Sequence, residues 1–454
     1  MMSDEQRQRI LSGDAKRVLL SLAWPIMLYN LAEAAFSFAD AFFLGRIGAS
    51  EFSAPLAAWA MIMIFNAFAN GLLSGGLSII SRLYGAGNYD KLRRAVGVLV
   101  FFSIAIYLPF GVLPALASSI IVRYVILDEK LAYYTAIYMF VTLIGILPSF
   151  IYMALYYSLL GVGDTKTPSK YIVVANLINI ALDPPFIFGF WVIPRMEVMG
   201  AAVASVIAHA AILPFFVREA LRNKSLTGIG LSDIRYDGTV IKEVVRIGTP
   251  VGLQNAATNI GQTLFVSIIS RFSVYAVAAL NVSTVLFNVV SILTYGFNRA
   301  LSSVIGITMG AGRLDLTDKY WKEAFKMMTY SMIIIGALTA LFPDEISVLL
   351  LDDPEVIGYS RNLLILVGLT MPFFGWIYVA GGVASGSGDT WPYFMLGLLR
   401  LWVLRISLAY IAYFVFNAGL TTMWFILAMS NLVTGVIGIA WVYRRGWMKK
   451  EIKL

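Results

Sequence analysis

FSAPLAAWAMIMIFNAFANGLLSGGLSIIS, residues 52–81, contains no Asp, Glu, Lys or Arg. A hydrocarbon core about 30 Å thick is crossed by roughly 20 apolar helical residues, so this run spans a bilayer once. The stretch 272–298 is equally free of charge, and 406–443 is long enough for two crossings with a turn between them. The whole chain follows suit: 59% of its 454 residues are hydrophobic and 13% charged, against about 45–50% and about 25% for soluble domains. Runs of this kind centre near residues 31, 66, 107, 146, 181, 207, 257, 285, 334, 372, 403 and 430. They lack the in/out alternation of a membrane barrel, and helices are the remaining way to satisfy every backbone group in lipid. The sequence therefore predicts an all-α polytopic membrane protein with twelve transmembrane helices.

The ends and loops set the expected orientation. Residues 1–17 are polar and charged, and a full-length span follows them, so no cleaved secretory signal is expected. The net charge is +8. Its basic residues gather in alternate loops, among them Arg82, Lys91, Arg93 and Arg94 in one and Arg313, Lys319, Lys322 and Lys326 in another. By the positive-inside rule both termini are expected in the cytoplasm of a cell-membrane protein. Because these residues lie in short connections between spans, nucleic-acid binding is not expected. The chain has no cysteine, which excludes disulfides and thiolate metal sites.

The chain also repeats itself at one fixed spacing. Pro25 pairs with Pro250, Asn30 with Asn255, Gly85-Ala86-Gly87 with Gly310-Ala311-Gly312, and Gly161-Val162-Gly163-Asp164-Thr165 with Gly386-Ser387-Gly388-Asp389-Thr390. An even number of helices per repeat returns the chain to the same side, so two six-helix lobes related by an axis along the membrane normal are expected. The reading divides the chain into an N-terminal segment (1–17), an N-lobe (18–217), a cytoplasmic linker (218–244), a C-lobe (245–443) and a tail (444–454). Two lobes about a cleft are the build of a transporter, with Pro25, Pro184 and Pro250 as candidate hinges.

Charge inside lipid costs at least about 2.5–3.5 kcal/mol and so marks function. Glu33, Asp40 and Asp183 are the acids well inside predicted spans, all in the N-lobe. Glu33 and Asp40 stand two turns apart, roughly 10 Å along one helix. Asn176, Asn179 and Asp183 share a face at i, i+3, i+7. Pro184 and Pro185 remove backbone donors, freeing carbonyls near residues 180–181, and Ser205 can add a hydroxyl. Carboxylate, amide and carbonyl oxygens suit a hard cation such as Na+ at Asp40, Asn179 and Asp183; the same carboxylates can carry H+ instead. The lone His209 reads as packing more readily than as a relay. Arg299, Arg400 and Arg405 are expected to face the other lobe or snorkel to the interface.

Several local sequences together resemble the MATE family of multidrug and toxic-compound extrusion transporters, over essentially the full length. They are Pro25 and Asp40 with Phe-Leu-Gly-Arg-Ile-Gly (43–48), Tyr-Gly-Ala-Gly-Asn (84–88), Leu-Gly-Val-Gly-Asp-Thr (160–165), Asn179-Ile-Ala-Leu-Asp183-Pro184 and Gly200-Ala201-Ala202. The resemblance implies efflux of organic cations or amphipathic drugs by antiport against H+ or Na+, by a single chain with no resident cofactor. It points to the archaeal, DinF-like branch, whose coupling residues fall on Asp40, Asn179, Asp183, Ser205 and, in the fourth helix, Tyr138. Glu33 and Asn176 are additional candidates for coupling or cargo. The NorM-like C-lobe acids are missing: Thr258 stands at one such position.

Two other functions compete. A flippase for lipid-linked or amphipathic cargo is the alternative, disfavoured by the acids of the N-lobe. An intramembrane aspartyl protease would use Gly-x-Gly-Asp, present at Asp164 and Asp389. Both copies lie beyond a span and are followed by Thr and a nearby Pro, the setting of a helix-end turn.

Overall fold

A computed structural model describes residues 2–44, 49–222, 229–351 and 353–452. Most of the Phe-Leu-Gly-Arg-Ile-Gly motif (45–48) and part of the linker (223–228) lie outside the described residues. A surface helix α1 (Met2–Ser12) precedes the first lobe. That lobe holds α2 (Ala15–Leu44), α3 (Ala49–Gly85) and α4 (Tyr89–Tyr107), which runs through a π-segment (Leu108–Val112) into α5 (Leu113–Leu116). It continues with α6 (Ser118–Val125), α7 (Glu129–Ile144), α8 (Leu147–Gly161), α9 (Lys166–Phe188) and α10 (Glu197–Arg222). The second lobe holds α11 (Gly238–Ile269), α12 (Val274–Gly310), α13 (Leu314–Leu341), α14 (Pro343–Leu350) and α15 (Pro354–Ser387). In α16 (Trp391–Leu398), a π-segment (Leu399–Ser407) and α17 (Leu408–Phe414) one span continues through a widened turn, and α18 (Leu420–Tyr443) closes the lobe.

Among the described residues nine helices are long and apolar enough to cross a membrane, or ten if the bent pair α7–α8 counts as one span. The remaining two of the twelve are α2 and α11, 30 and 32 residues long. They are ample in length, and their polar residues, Glu33 and the run Gln254–Asn259, face a cavity instead of lipid.

Side-chain caps start many of these helices. Asn88 accepts from Lys91 N, Asp128 from Leu131 N, and Ser273 from Ala276 N, each satisfying an amide that the first turn leaves unpaired. The paired loops of the two repeats share their backbone geometry. Gly87 and Gly312 have φ of 71° and 70°, and Gly163 and Gly388 have 82° and 75°. A side chain in that left-handed region costs about 1–2 kcal/mol, which explains why both repeats keep glycine there. Gly388→Ala is accordingly expected to lower the melting temperature. Gly358→Ala, in a helix with open space around its Cα, is expected to raise it by about 0.5–1 kcal/mol of stability. Equal shifts in the two purified variants would contradict this account.

The lobes meet where α3 packs on α11 and α12, and α2 on α12. At one end of the molecule they touch backbone to backbone. A Cβ on Gly71 would fall 2.1 Å from Gly252 Cα, and one on Gly75 would fall 2.3 Å from Val244 O. Gly71-x-x-x-Gly75 faces Gly248-x-x-x-Gly252, the small-residue pattern that lets membrane helices approach closely. Terminal segments are laid across the same end. Arg7 and Gln6 of α1 donate to Gly85 O (2.8 Å) and Gly163 O (2.6 Å), while Tyr320 of α13 donates to Ile10 O (2.7 Å). Arg82 donates to Lys450 O and Ser387 O, both at 2.6 Å.

Candidate functional site

Above this closed end the lobes part around a cavity of about 550 Å³, within the range of pockets for drug-sized ligands. From the N-lobe, Tyr29 and Glu33 of α2, Asn66 and Asn70 of α3, Asn176 of α9, and Ser205 and His209 of α10 reach its wall. From the C-lobe come Gln254, Thr258 and Asn259 of α11, Asn298 and Arg299 of α12, Tyr378 of α15, Tyr393 of α16 and Arg400 of the second π-segment.

Local chain chemistry opens that wall. The α7–α8 span bends by 50° at residues 145–146, where Pro148 sits in the first turn of α8 and cannot donate to the preceding turn. Gly145 packs on Val206, which a Cβ would approach to 2.3 Å. Thr142, Gly145 and Ser149 beside the break all line the cavity. The sequence reading placed a continuous span here; the structure corrects it to a broken one.

The N-lobe polar residues form two layers. In the wall, Asn176 Nδ2 donates to Glu33 Oε1 at 3.3 Å. Behind it Asn179 Nδ2 donates to Ser205 Oγ at 3.0 Å, and His209 Nδ1 donates to Ser205 O at 2.9 Å. Asn176, Asn179 and Asp183 share a buried face of α9, with Asp183 at 0% exposure. Pro184 and Pro185 lie inside that helix, which continues to Phe188. Ser205 thus links the cavity wall to the buried layer. Tyr138 is buried on α7 and does not reach the wall. The side chain of Asp40 lies outside the described residues, and with it the proposed Asp40, Asn179, Asp183 cation set. Among the described residues no group of three or more His, Asp or Glu is placed to hold a metal ion. Pro25 and Pro250 sit buried within α2 and α11.

Sequence reasoning missed most of the C-lobe wall. Arg299 and Arg400 do face the other lobe as expected: both line the cavity between the lobes, and Arg299 reaches Tyr157 of the N-lobe at 3.3 Å. Arg405 instead turns into the C-lobe, where its guanidinium donates to Ser430 Oγ (2.9 Å) and Asn431 Oδ1 (3.0 Å) of α18. The available signal was three arginines within spans; the π-segment that aims two of them leaves no mark on composition. Asp164 and Asp389 behave as turn residues. Asp164 accepts from Thr167 N (3.0 Å) and Thr167 Oγ1 (2.8 Å), and Asp389 pairs with Lys450 at 3.1 Å.

Comparison with known proteins places this architecture. The family model described as MatE matches residues 25–184 and again 250–411, once in each lobe. A probable multidrug resistance protein NorM from Thermotoga maritima is 24% identical over 97% of this chain and 94% of its own length. A FAD transporter from Shewanella oneidensis is 23% identical, covering 95% of both chains. Among solved structures, a MOP superfamily transporter from Pyrococcus furiosus superposes with a TM-score of 0.88 at 21% identity, covering 98% of each chain. With its model matched in both lobes and the twelve-helix, two-lobe fold in place, the chain belongs to the MATE family of membrane transporters, which are not enzymes.

Proposed function

We propose that the chain is a secondary active efflux transporter that exchanges amphipathic drug-like molecules, organic cations among them, for H+ or Na+ across the cell membrane. The observation that carries this reading is one cavity built from both lobes, with polar side chains from each, shut at one end by backbone contact and backed in the N-lobe by buried Asp183. In this proposal Asp183, Asn179, Ser205 and Asp40 bind the coupling ion, and Glu33 and Asn176 pass its effect to the cavity. Ion and cargo then exclude each other while the lobes rock between two states, with Pro25, Pro184 and Pro250 taking up the bend. An ion drives such a change only through different affinity for the two states. The basic loops at the closed end favour a cytoplasmic placement for it and for both termini. A single chain completes the cavity, so the working unit is proposed to be a monomer.

The test is efflux of a fluorescent organic cation from proteoliposomes with sodium and pH gradients imposed separately. Efflux driven by sodium alone supports an oxygen cage for Na+, and efflux driven by the pH gradient alone makes the carboxylates proton carriers. Absence of efflux under both would overturn the reading in favour of a flippase.

A further inference from the structure

The cavity has two walls of opposite sign. On the N-lobe side stands Glu33; on the C-lobe side stand Arg299 and Arg400. Guanidinium groups stay charged in proteins and present five donors in a fixed fork. Few of these donors are used within the protein. Arg299 Nη2 donates to Tyr157 Oη at 3.3 Å, and its guanidinium lies 5.2 Å from the Tyr157 ring centre. Arg400 lies 5.9 Å from the Phe374 ring centre, and its Nε is buried without a hydrogen-bond partner. Thr142 Oγ1, also in the cavity wall, is a buried hydroxyl without a partner. Among the described residues no carboxylate forms an ion pair with Arg299 or Arg400. Glu33, the acid of the described wall, is held by Asn176 on the far side.

Two cations facing a shared cavity, with donors unspent, call for an anion that arrives with the cargo. Beside them Tyr295 and Tyr378 meet edge to face, ring centres 5.3 Å apart, and Tyr378 meets Phe374 at 5.1 Å, giving an aromatic surface on which a flat ring can rest. We infer that Arg299 and Arg400 form an anion subsite, and that the preferred cargo is an aromatic molecule bearing a carboxylate or phosphate group. This rests on the transporter reading above and narrows it: a cargo carrying a cationic centre as well would place it toward Glu33.

The experiment measures equilibrium binding of a matched dye pair, a rhodamine with a free carboxylate and the methyl ester of the same rhodamine, to detergent-purified full-length protein. The free acid is expected to bind about tenfold tighter, as a charge-assisted hydrogen bond warrants. Arg400→Gln and Arg299→Gln are each expected to bring the acid-to-ester ratio toward one, and Arg400→Lys to keep part of the preference. Because acid and ester are read on the same preparation, a loss of folded protein cannot mimic a change in the ratio. A wild-type ratio of one, or a ratio untouched by both glutamine substitutions, overturns the inference. So does displacement of the acid by added phosphatidylglycerol, which would reassign the arginines to a lipid headgroup. The ratio is measured without any gradient. A preserved ratio with no gradient-driven efflux would therefore sink the transporter reading and leave the subsite standing.

Discussion

Asp183→Asn is expected to leave a folded protein whose gradient-driven efflux falls to the leak rate of empty liposomes. The side chain is completely buried on the packed face of α9, and Asn matches it in size, so the surrounding packing is retained. What changes is charge. A carboxylate can release and rebind a proton or hold a cation within the working range of an ion gradient; an amide can do neither. Coupling is a free-energy difference between two states, and moving a population from 1:99 to 99:1 takes about 5.5 kcal/mol of differential affinity. A site that no longer binds the ion contributes none of it. Efflux under sodium and pH gradients, together with the melting temperature in detergent, decides the matter. Wild-type rates in a well-folded Asp183→Asn would remove Asp183 from the coupling site. Glu33→Gln is expected to act more mildly, because the amide can still accept from Asn176.

Much of this architecture was legible because lipid imposes a strict grammar. A run without charge can only be a span, and the repeated Gly-rich loops declare two lobes since their left-handed glycines, Gly87 with Gly312 and Gly163 with Gly388, admit little else. The shared face of Asn176, Asn179 and Asp183 was equally readable, since three polar residues at helical spacing in an apolar helix must point one way. What stayed hidden depended on partners. Nothing local separates Ile144 from Leu147 in hydropathy, so the 50° break between α7 and α8 shows itself in sequence only through Gly145 and Pro148. The π-segment at Leu399–Ser407 changes the direction of Arg400 without changing its neighbours. Helix α1 is polar, and it is held by distant carbonyls of Gly85 and Gly163, which no window of sequence contains. The facing pairs Gly71/Gly75 and Gly248/Gly252 were present in the sequence as two spaced glycine pairs; only packing shows that they oppose each other.

Gly75→Ala is expected to shift the molecule strongly away from the state described here. The added methyl would stand 2.3 Å from Val244 O and 2.9 Å from Gly248 N. Both are backbone atoms in long helices, so neither can swing aside as a side-chain end would. Overpacking of this kind costs about 1–3 kcal/mol. That cost falls on the closed arrangement, in which α3 and α11 touch, and is relieved when the lobes part at this end. A difference of about 1–3 kcal/mol between two states is a shift of roughly 5- to 150-fold in their ratio. The chain has no cysteine, so spin labels can be introduced without first removing native thiols. Lys91 near the start of α4 and Lys319 near the start of α13 are exposed at the closed end, one on each lobe. Pulsed electron-electron resonance between labels at Lys91→Cys and Lys319→Cys is expected to show one short distance in the parent. In the Gly75→Ala background a longer population should dominate. An unchanged distance distribution with an unchanged melting temperature would mean that α3 and α11 absorb the methyl without separating, and that this glycine contact is not what holds the end shut. A lowered melting temperature with the short distance retained would place the contact in folding, not in gating. If the longer population appears, α3 and α11 form the gate, and the close approach that closes it depends on the absence of a side chain at residue 75.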